Sequence, residues 1–133
     1  MKSTRLYPRV QVDTAPVPAV AQAGGLTLTE TIAVTGLGTA LSSELGRWRK
    51  PLAVHDPAKV LLDVALTLAL GGEHLCDIAL IRSEPAVYGR VASDPTVSRT
   101  IDALAADAPA ALKAIDRARA AARAQAWGLA GRH

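Results

Sequence analysis

The pattern of apolar and polar positions is helical from residue 26 to near the end of the chain. Apolar residues recur there every three or four positions, which is the spacing of one face of an α-helix. They are densest over 58–70, where they cover nearly the whole circumference of a helix. Asp56 and Pro57 precede this stretch as N-cap and first helical residue, and Gly71-Gly72 follows as a stop signal. We therefore expect 58–70 to be the central and most buried helix.

Capping residues, prolines and glycines divide the rest of this region into further predicted helices. They cover residues 29–34, 39–45, 75–82, 94–106 and 109–127. Thr29 and Thr39 are the predicted caps of the first two, Gly128 is the predicted end of the last, and the connector 83–92 is predicted to be irregular. The predicted buried stripes are Val97, Ile101, Leu104 and Ala108 on the fourth of these helices, and Leu112, Ile115, Ala118, Ala122 and Ala126 on the fifth.

Residues 1–25 differ from the rest and are predicted to form an extended arm. Residues 9–13 alternate polar and apolar side chains, as a short half-buried strand does, and three prolines interrupt the segment. Since no partner strand is visible, the strand is either a lone arm or pairs outside these 133 residues. The predicted fold is mainly α: a compact multi-helix domain over 26–131, preceded by the arm and followed by the tail 132–133.

Composition supports a helical core and argues against a membrane protein. Half of the residues are apolar, with 27 alanines and no phenylalanine, which favours closely packed helices. No apolar run reaches the roughly 18 residues of a membrane span, and the first residues show no signal-peptide pattern. We expect a cytoplasmic protein without a membrane partner.

Charge is distributed unevenly around a net value of +3. Residues 47–59 carry a net +3 and residues 108–133 a net +4, while residues 60–107 carry a net −4. Basic patches attract polyanions, although they are also ordinary solvated surface. The phosphate contacts predicted from them are Arg47, Arg49 and Lys50 in the connector, and Lys113, Arg117 and Arg123 on the last helix.

No enzyme motif is visible in the chain. Cys76 is the only cysteine, the three histidines are scattered, and the Gly-Gly and Gly-x-Gly segments lack the context of a phosphate-binding loop. Asp63 interrupts the apolar helix, and we interpret it as a partly exposed carboxylate bonded to a neighbouring helix, with a catalytic role as the alternative. We expect no catalytic, metal or cofactor site in this chain.

The segment 75–106 resembles a helix-turn-helix, in which the start of the second helix meets a DNA groove. The side chains suited to that role are Ser93, Thr96, Ser98, Arg99 and Thr100. The long connector and the acidic surroundings oppose it, and two helices packed into a core are the alternative.

Four stretches together resemble the N-terminal part of bacterial insertion-sequence transposases of the DDE type, the "thirteen-eighty" group. They are Leu62-Asp63-Val64-Ala65-Leu66, Gly71-Gly72-Glu73-His74-Leu75-Cys76-Asp77-Ile78, Leu80-Ile81-Arg82 and Ala92-Ser93-Asp94-Pro95-Thr96-Val97-Ser98-Arg99. Each motif is weak, but their order and spacing are fairly specific, and the resemblance covers roughly residues 8–131.

The resemblance implies cut-and-paste transposition at the terminal repeats of a DNA element, in the cytoplasm at the bacterial nucleoid. It also implies a catalytic RNase H-like domain that holds a divalent metal such as Mg²⁺ on acidic residues. Since the first catalytic Asp of that family follows the Trp-Gly segment, we expect this chain to be truncated before the catalytic domain and not to be an enzyme. The missing domain would then be a partner and would pair with the strand at 10–12.

Two other functions remain open at this stage. One is a stand-alone helical protein that forms a homodimer through its alanine-rich faces. The other is a small DNA-binding regulator that uses the same helix pair.

Overall fold

The computed structural model describes residues 5–10 and 24–131. In this part of the chain the elements are helices and turns, in agreement with the predicted mainly α fold. The helices are α1 (Gly25–Thr35), α2 (Leu37–Glu44), α3 (Pro57–Ala69), α4 (Ala79–Arg82), α5 (Pro85–Tyr88), α6 (Asp94–Ala105) and α7 (Ala108–Ala130). Two 3₁₀ turns, Gly46–Trp48 and Leu75–Ile78, precede α3 and α4. None of the helices in the described ranges is long and apolar enough to cross a membrane.

Helix α3 begins as the sequence predicts and supplies much of the core. The Asp56 carboxylate accepts a hydrogen bond from the Ala58 backbone N–H at 2.9 Å, and Pro57 occupies the first turn. Leu62 and Leu66 are buried, as expected for the central helix. The helix is not buried all round, however, because Leu68 near its C-terminal end is 55% exposed. The apolar pattern around the whole circumference therefore predicts more burial of α3 than the structure has.

The segments that follow α3 pack onto it and onto α6. Ile78 and Ile81 of the 75–82 segment are buried, together with Val97 and Leu104 of α6. Ile101 of α6 is partly buried against the same core. The predicted packing of these two segments on α3 through Ile78, Val97 and Leu104 is thus observed.

The connector 83–92 is not irregular, because it contains α5. Val87 and Tyr88 of α5 are buried, and α5 packs against α1. The approach is close at Gly25, where a Cβ atom would lie only 1.9 Å from the Tyr88 hydroxyl. A tertiary contact therefore stabilises a helix that its four residues would not form alone. The two helices of the predicted helix-turn-helix are consequently separated by a third, and that motif stays a prediction.

Helix α7 buries the predicted Ala118 and Ala122, and Ile115 in part, but the prediction is wrong for Leu112. Ala111, Ala114, Ala118 and Ala122 face the core, whereas Leu112 is 61% exposed. Helix α7 packs mainly on α2, where Gly38 is also buried, so that small side chains allow the two backbones to approach closely. The alanine-rich face is therefore already covered within the chain.

Several predicted helix boundaries are wrong for identifiable reasons. Helix α1 begins at Gly25, and Thr29 lies inside it with its hydroxyl donating to the Leu26 carbonyl. Thr39 likewise lies inside α2, which begins at Leu37 directly after the left-handed Gly36. Helix α7 continues through Gly128 to Ala130, since a helical glycine costs only about 1 kcal/mol relative to alanine.

The N-terminal segment 5–10 lies against the core through Tyr7. Residues 5–10 form no helix or strand, and Tyr7 is buried against α3. The rest of the predicted strand, residues 11–13, lies outside the described residues, as do most of the arm and the tail 132–133.

Candidate functional site

A groove of about 600 Å³ lies between the connector that precedes α3, the loop after α5, and one side of α6. We call it the basic groove. Its polar lining consists of Arg49, Lys50, His55, Arg90, Thr96, Arg99 and Thr100. No carboxylate lines it within the described ranges. Residues that are far apart in the sequence thus form one cationic, hydroxyl-bearing surface.

Helix α6 contributes one face to the basic groove. Because Val97 and Leu104 are directed into the core, Thr96, Thr100 and Ala103 lie on a neighbouring face, together with Arg99. The Arg99 guanidinium donates to the Thr96 hydroxyl at 3.2 Å, and the Thr100 hydroxyl donates to the Thr96 carbonyl at 2.9 Å. The side of the helix, and not its N-terminal end, therefore faces the groove.

The connector positions Arg49 and Lys50 through contacts with the start of α3. Arg49 forms an ion pair with Asp56 at 3.3 Å, and Asp56 also accepts a hydrogen bond from the Ser42 hydroxyl. Lys50 begins a tight turn that is closed by a hydrogen bond from the Ala53 N–H to the Lys50 carbonyl at 3.1 Å. The N-cap of α3 thus also anchors the cationic connector.

Arg90 is a groove residue that the sequence analysis missed. It follows Gly89, which has a φ of 70° and lies against Pro8. The Lys59 ammonium donates to the Arg90 carbonyl at 3.2 Å and so fixes the loop. A single arginine after a glycine carries no local pattern, and only the tertiary fold places it beside Arg49.

Beneath the groove lies a buried polar cluster of Tyr7, Lys59 and Asp63. The Tyr7 hydroxyl donates to Asp63 Oδ1 at 2.6 Å, and Lys59 Nζ donates to Asp63 Oδ2 at 2.7 Å. Lys59 Nζ also lies 4.6 Å from the centre of the Tyr7 ring. Asp63 is only 1% exposed, so the interpretation of a partly exposed carboxylate bonded to a neighbouring helix is wrong. Its partners come from its own helix and from the N-terminal segment.

Burial shifts the pKa values of this cluster in the directions that favour the neutral form of each group. Desolvation raises the pKa of Asp63 and lowers that of Lys59, while the contact between the two opposes both shifts. The pKa of Tyr7 is raised, first by burial and then by the Asp63 charge. Because each polar atom of the pair has a partner, the cluster links the N-terminal segment, α3 and the Arg90 loop.

A second groove, also of about 600 Å³, continues from the first. The two share Arg49, Val54, His55 and Arg90. The second adds Arg5, Lys59 and the hydroxyls of Thr39, Ser42 and Ser43, with Asp56 as a carboxylate in its wall. The cationic surface therefore extends from the N-terminal segment to α6.

His55 lies where the two grooves meet. Its pKa is lowered, first by desolvation and then by the neighbouring charges of Arg90 and Lys59. The imidazole is therefore largely neutral near pH 7, and an anion bound in the groove would favour its protonated form.

The other predicted contact residues lie outside the basic groove. Arg47 pairs with Asp107 at 2.7 Å, and Arg117 of α7 pairs with Glu44 at 2.8 Å. Lys113 and Arg123 are exposed on α7, which does not line the groove. Ser93 donates to the Thr96 hydroxyl at 3.1 Å from the helix start, and Ser98 is exposed elsewhere on α6. The structure brings together Arg49, Lys50, Thr96, Arg99 and Thr100, and leaves the remaining predicted residues apart.

Comparison with known families identifies the class of protein. The family model described as "Transposase DDE domain group 1" matches residues 2–128, which is nearly the whole chain. The chain therefore belongs to this family of transposase domains. No curated protein and no solved structure matches it.

This membership corrects one prediction and supports others. The prediction that the chain is not an enzyme is wrong, because the match is to a DDE transposase domain, an enzyme family, over nearly its full length. The resemblance to a DDE transposase is confirmed at the level of the family, which indicates a transposition-related function with DNA as the partner class. The thirteen-eighty group stays a prediction.

The DDE family implies a divalent metal, and the described residues do not fit one. No group of three or more His, Cys, Asp or Glu side chains is placed to hold a metal ion within residues 5–10 and 24–131. Individual carboxylates are engaged elsewhere: Asp63 with Lys59 and Tyr7, Asp94 with Arg82, and Asp77 with two backbone N–H groups. The hydrogen bonds from the Glu73 and His74 backbone N–H groups lower the pKa of Asp77. Asp63, Asp77 and Asp94 thus have separate partners, and no two of them form one site. We therefore derive no catalytic step through a metal.

Proposed function

We propose that the chain binds DNA through the basic groove, as part of the transposition-related function of its family. The observation that carries the proposal is the convergence of Arg49, Lys50, Arg90 and Arg99 on one groove without a carboxylate in its lining. Cations contribute to DNA affinity by neutralising phosphates and releasing condensed counterions. A groove lined by four of them attracts a phosphate backbone more strongly than the net charge of +3 suggests.

The hydroxyls of α6 suit the second requirement of DNA binding, which is orientation. Thr96 and Thr100 can donate to phosphate oxygens or to base edges, and Arg99 can form two parallel hydrogen bonds to a guanine. The N-terminal end of α6 is less suited to binding phosphate, because the Asp94 carboxylate lies in its first turn, where it pairs with Arg82 and would repel a phosphate. We therefore assign readout to the side face of α6 and phosphate contacts to Arg49, Lys50 and Arg90.

A titration of fluorescent duplexes tests this assignment with matched variants. We expect Arg90→Ala to weaken binding to all sequences alike and to lower the salt slope by about one unit. Arg123→Ala, which removes one exposed cation from α7, is the control and should leave both quantities nearly unchanged. If Arg123→Ala costs as much affinity as Arg90→Ala, the groove is not the binding surface.

A second comparison separates readout from charge. Arg99→Ala should cost roughly 1–3 kcal/mol on a preferred duplex and little on a scrambled one. Arg99→Lys keeps the charge but lacks the planar fork, so it should lose the preference for the preferred duplex as Arg99→Ala does. Equal losses on both duplexes would make Arg99 a phosphate contact only.

The identity of the preferred DNA belongs to the same proposal. The motifs shared with the thirteen-eighty group favour the terminal repeats of an insertion element as the target. Competition between a terminal-repeat duplex and a scrambled one of equal length measures this preference. Equal competition would leave general DNA binding in place and remove the terminal-repeat target.

The alternative of a helical dimer finds less support. It depends on an alanine-rich face, but Ala111, Ala114, Ala118 and Ala122 of α7 are buried within the chain. A dimer formed through that face would have to displace α2.

A further inference from the structure

The turn between Lys50 and Ala53 presents a leucine to solvent at the edge of the basic groove. The side chain of Leu52 is 101% exposed, more than any other large apolar side chain in the described ranges. It therefore adds nothing to the core of the chain, and burial would favour covering it.

The backbone at Leu52 is also unusual. Its φ of 64° is the only positive value at a non-glycine residue in the described part of the chain. With Pro51 before it and the Lys50–Ala53 hydrogen bond of 3.1 Å, the segment has the features of a type II turn, in which this position favours glycine or asparagine. A leucine is strained there, and neither packing nor backbone preference accounts for it.

The surroundings of Leu52 indicate what could cover it. Arg49 and Lys50 lie just before Pro51 and line the basic groove, and Val54, 66% exposed, follows on the same rim. An apolar side chain next to cations is complementary to a polyanion that has an apolar interior. Double-stranded DNA is such a polyanion, because its stacked bases lie between two phosphate backbones. Proteins that bend DNA insert leucine, proline and similar side chains between base steps in this way.

We propose that Leu52, supported by Pro51, is a wedge that inserts between adjacent base pairs of the DNA held in the basic groove. This inference rests on the proposed DNA binding. Arg49 and Lys50 would hold phosphates beside the inserted side chain, and the rigid turn would keep the leucine projecting from the surface. Insertion partly unstacks the base step and bends the duplex.

Base unstacking can be measured directly with 2-aminopurine, whose fluorescence rises when it leaves the stack. Short duplexes carrying this base at successive positions are titrated with the full chain until fluorescence anisotropy shows saturation. We expect the wild type to raise the 2-aminopurine signal, and Leu52→Ala and Leu52→Gly to lose that rise when equally saturated. Leu112→Ala removes an exposed leucine from α7 and should keep the rise. All three variants should retain the wild-type salt slope, since no charge is removed.

The two leucine variants also separate the side chain from the backbone. Glycine adopts a positive φ without strain, so Leu52→Gly should unfold at a higher temperature than Leu52→Ala. Both should lose the unstacking signal to the same extent, because both lack the wedge. A signal retained by Leu52→Ala and lost only in Leu52→Gly would assign the effect to the turn backbone and overturn the proposal.

The outcomes distinguish the wedge from DNA binding itself. Saturable binding by the wild type with no rise in fluorescence at any position refutes the wedge and leaves the groove proposal standing. Absence of binding at low salt refutes both. If Leu52→Ala abolishes self-association of the chain in sedimentation and leaves the DNA signal unchanged, Leu52 packs on a second copy and the wedge is wrong.

Discussion

The two basic stretches of this chain carry similar charge, but the fold gives them different surroundings. The connector region 47–59 has a net charge of +3, and the last 26 residues have a net charge of +4. On α7, Arg117 pairs with Glu44 and Arg119 with Asp116. One face of this helix packs on α2, and the rest of its surface is exposed. Around the connector, Arg47 and Arg49 are also paired, with Asp107 and Asp56, but Arg49 and Lys50 line one groove together with Arg90, Arg99 and threonine hydroxyls.

This difference shows that the number of cations in a stretch does not identify a binding surface. What distinguishes the connector is convergence: Arg90 and Arg99 come from a region whose own net charge is −4, yet they lie beside Arg49 and Lys50. The carboxylates of that region are directed elsewhere, for example Asp63 into the core and Asp94 toward Arg82. The net charge of a stretch of sequence therefore does not predict the surface: the acidic region contributes cations to the groove, and a basic region can lie outside it.

The largest effect should come from the cluster beneath the groove. Asp63→Ala leaves Lys59 buried beside an apolar gap, so we expect the free energy of unfolding to fall by about 3–5 kcal/mol. Asp116→Ala removes an exposed partner on α7 and should change it by less than about 1 kcal/mol. Urea titration measures both. Equal values would mean that the groove side is no more dependent on buried charge than the α7 side.

A packing change on the other side should cost less and spare DNA binding. Ala118 is fully buried between α7 and the core, and Ala118→Leu adds volume that the close packing cannot accommodate. Overpacking of this kind costs about 1–3 kcal/mol. The folded fraction should still bind a duplex with wild-type affinity. A specific loss of affinity at unchanged folding would place α7 in the DNA interface and break the comparison.

The smallest expected effect is the pH dependence contributed by His55. Its pKa is lowered in the free protein by burial, Arg90 and Lys59, so bound phosphates should raise it and binding should take up protons. Affinity should therefore increase as pH falls from about 8 to 6, around the ordinary histidine pKa of about 6.5. His55→Gln should remove this increase, whereas His74→Gln should not, since His74 does not line the groove. A pH profile that His55→Gln leaves unchanged would exclude the imidazole from the contact.

The same titration has a consequence for the free protein with the opposite sign. Because the pKa of His55 is lower in the folded state, its neutral form is favoured by folding, and that stability is lost as pH falls below the unfolded value. Acidification should thus weaken the free fold slightly while strengthening the complex. His55→Gln should reduce both trends, and the pH dependence of urea unfolding in the absence of DNA checks the first of them.

The sequence predicts a helix correctly where residues next to it mark its ends, and it does not predict a helix that forms only through a contact with a distant residue. Asp56-Pro57 fixes the start of α3, and Gly36 ends α1 in a left-handed conformation, as a glycine there predicts. Helix α5 was missed because its stability depends on Tyr88 packing against Gly25, more than sixty positions away.

The candidate site shows the same division. Arg49, Lys50, Thr96, Arg99 and Thr100 carry residue types and positions that predict contact with DNA, but nothing in their spacing indicates that they meet. Arg90 has no signal of its own. On α7 the prediction is wrong for Leu112 and omits Ala111 and Ala114, because leucine is more apolar than alanine whereas the contact with α2 requires small side chains.

The central claim is that the basic groove, and not the α7 surface, binds DNA. The direct test compares Lys50→Ala/Arg90→Ala with Lys113→Ala/Arg123→Ala, since each double variant removes two positive charges from exposed side chains. Binding of one duplex is titrated at several salt concentrations, and the slope of log affinity against log salt is measured. We predict that the groove variant lowers the slope by about two units, at roughly 0.9 per phosphate contact, while the α7 variant retains the wild-type slope. An equal decrease in both, or a decrease only in the α7 variant, would contradict the claim.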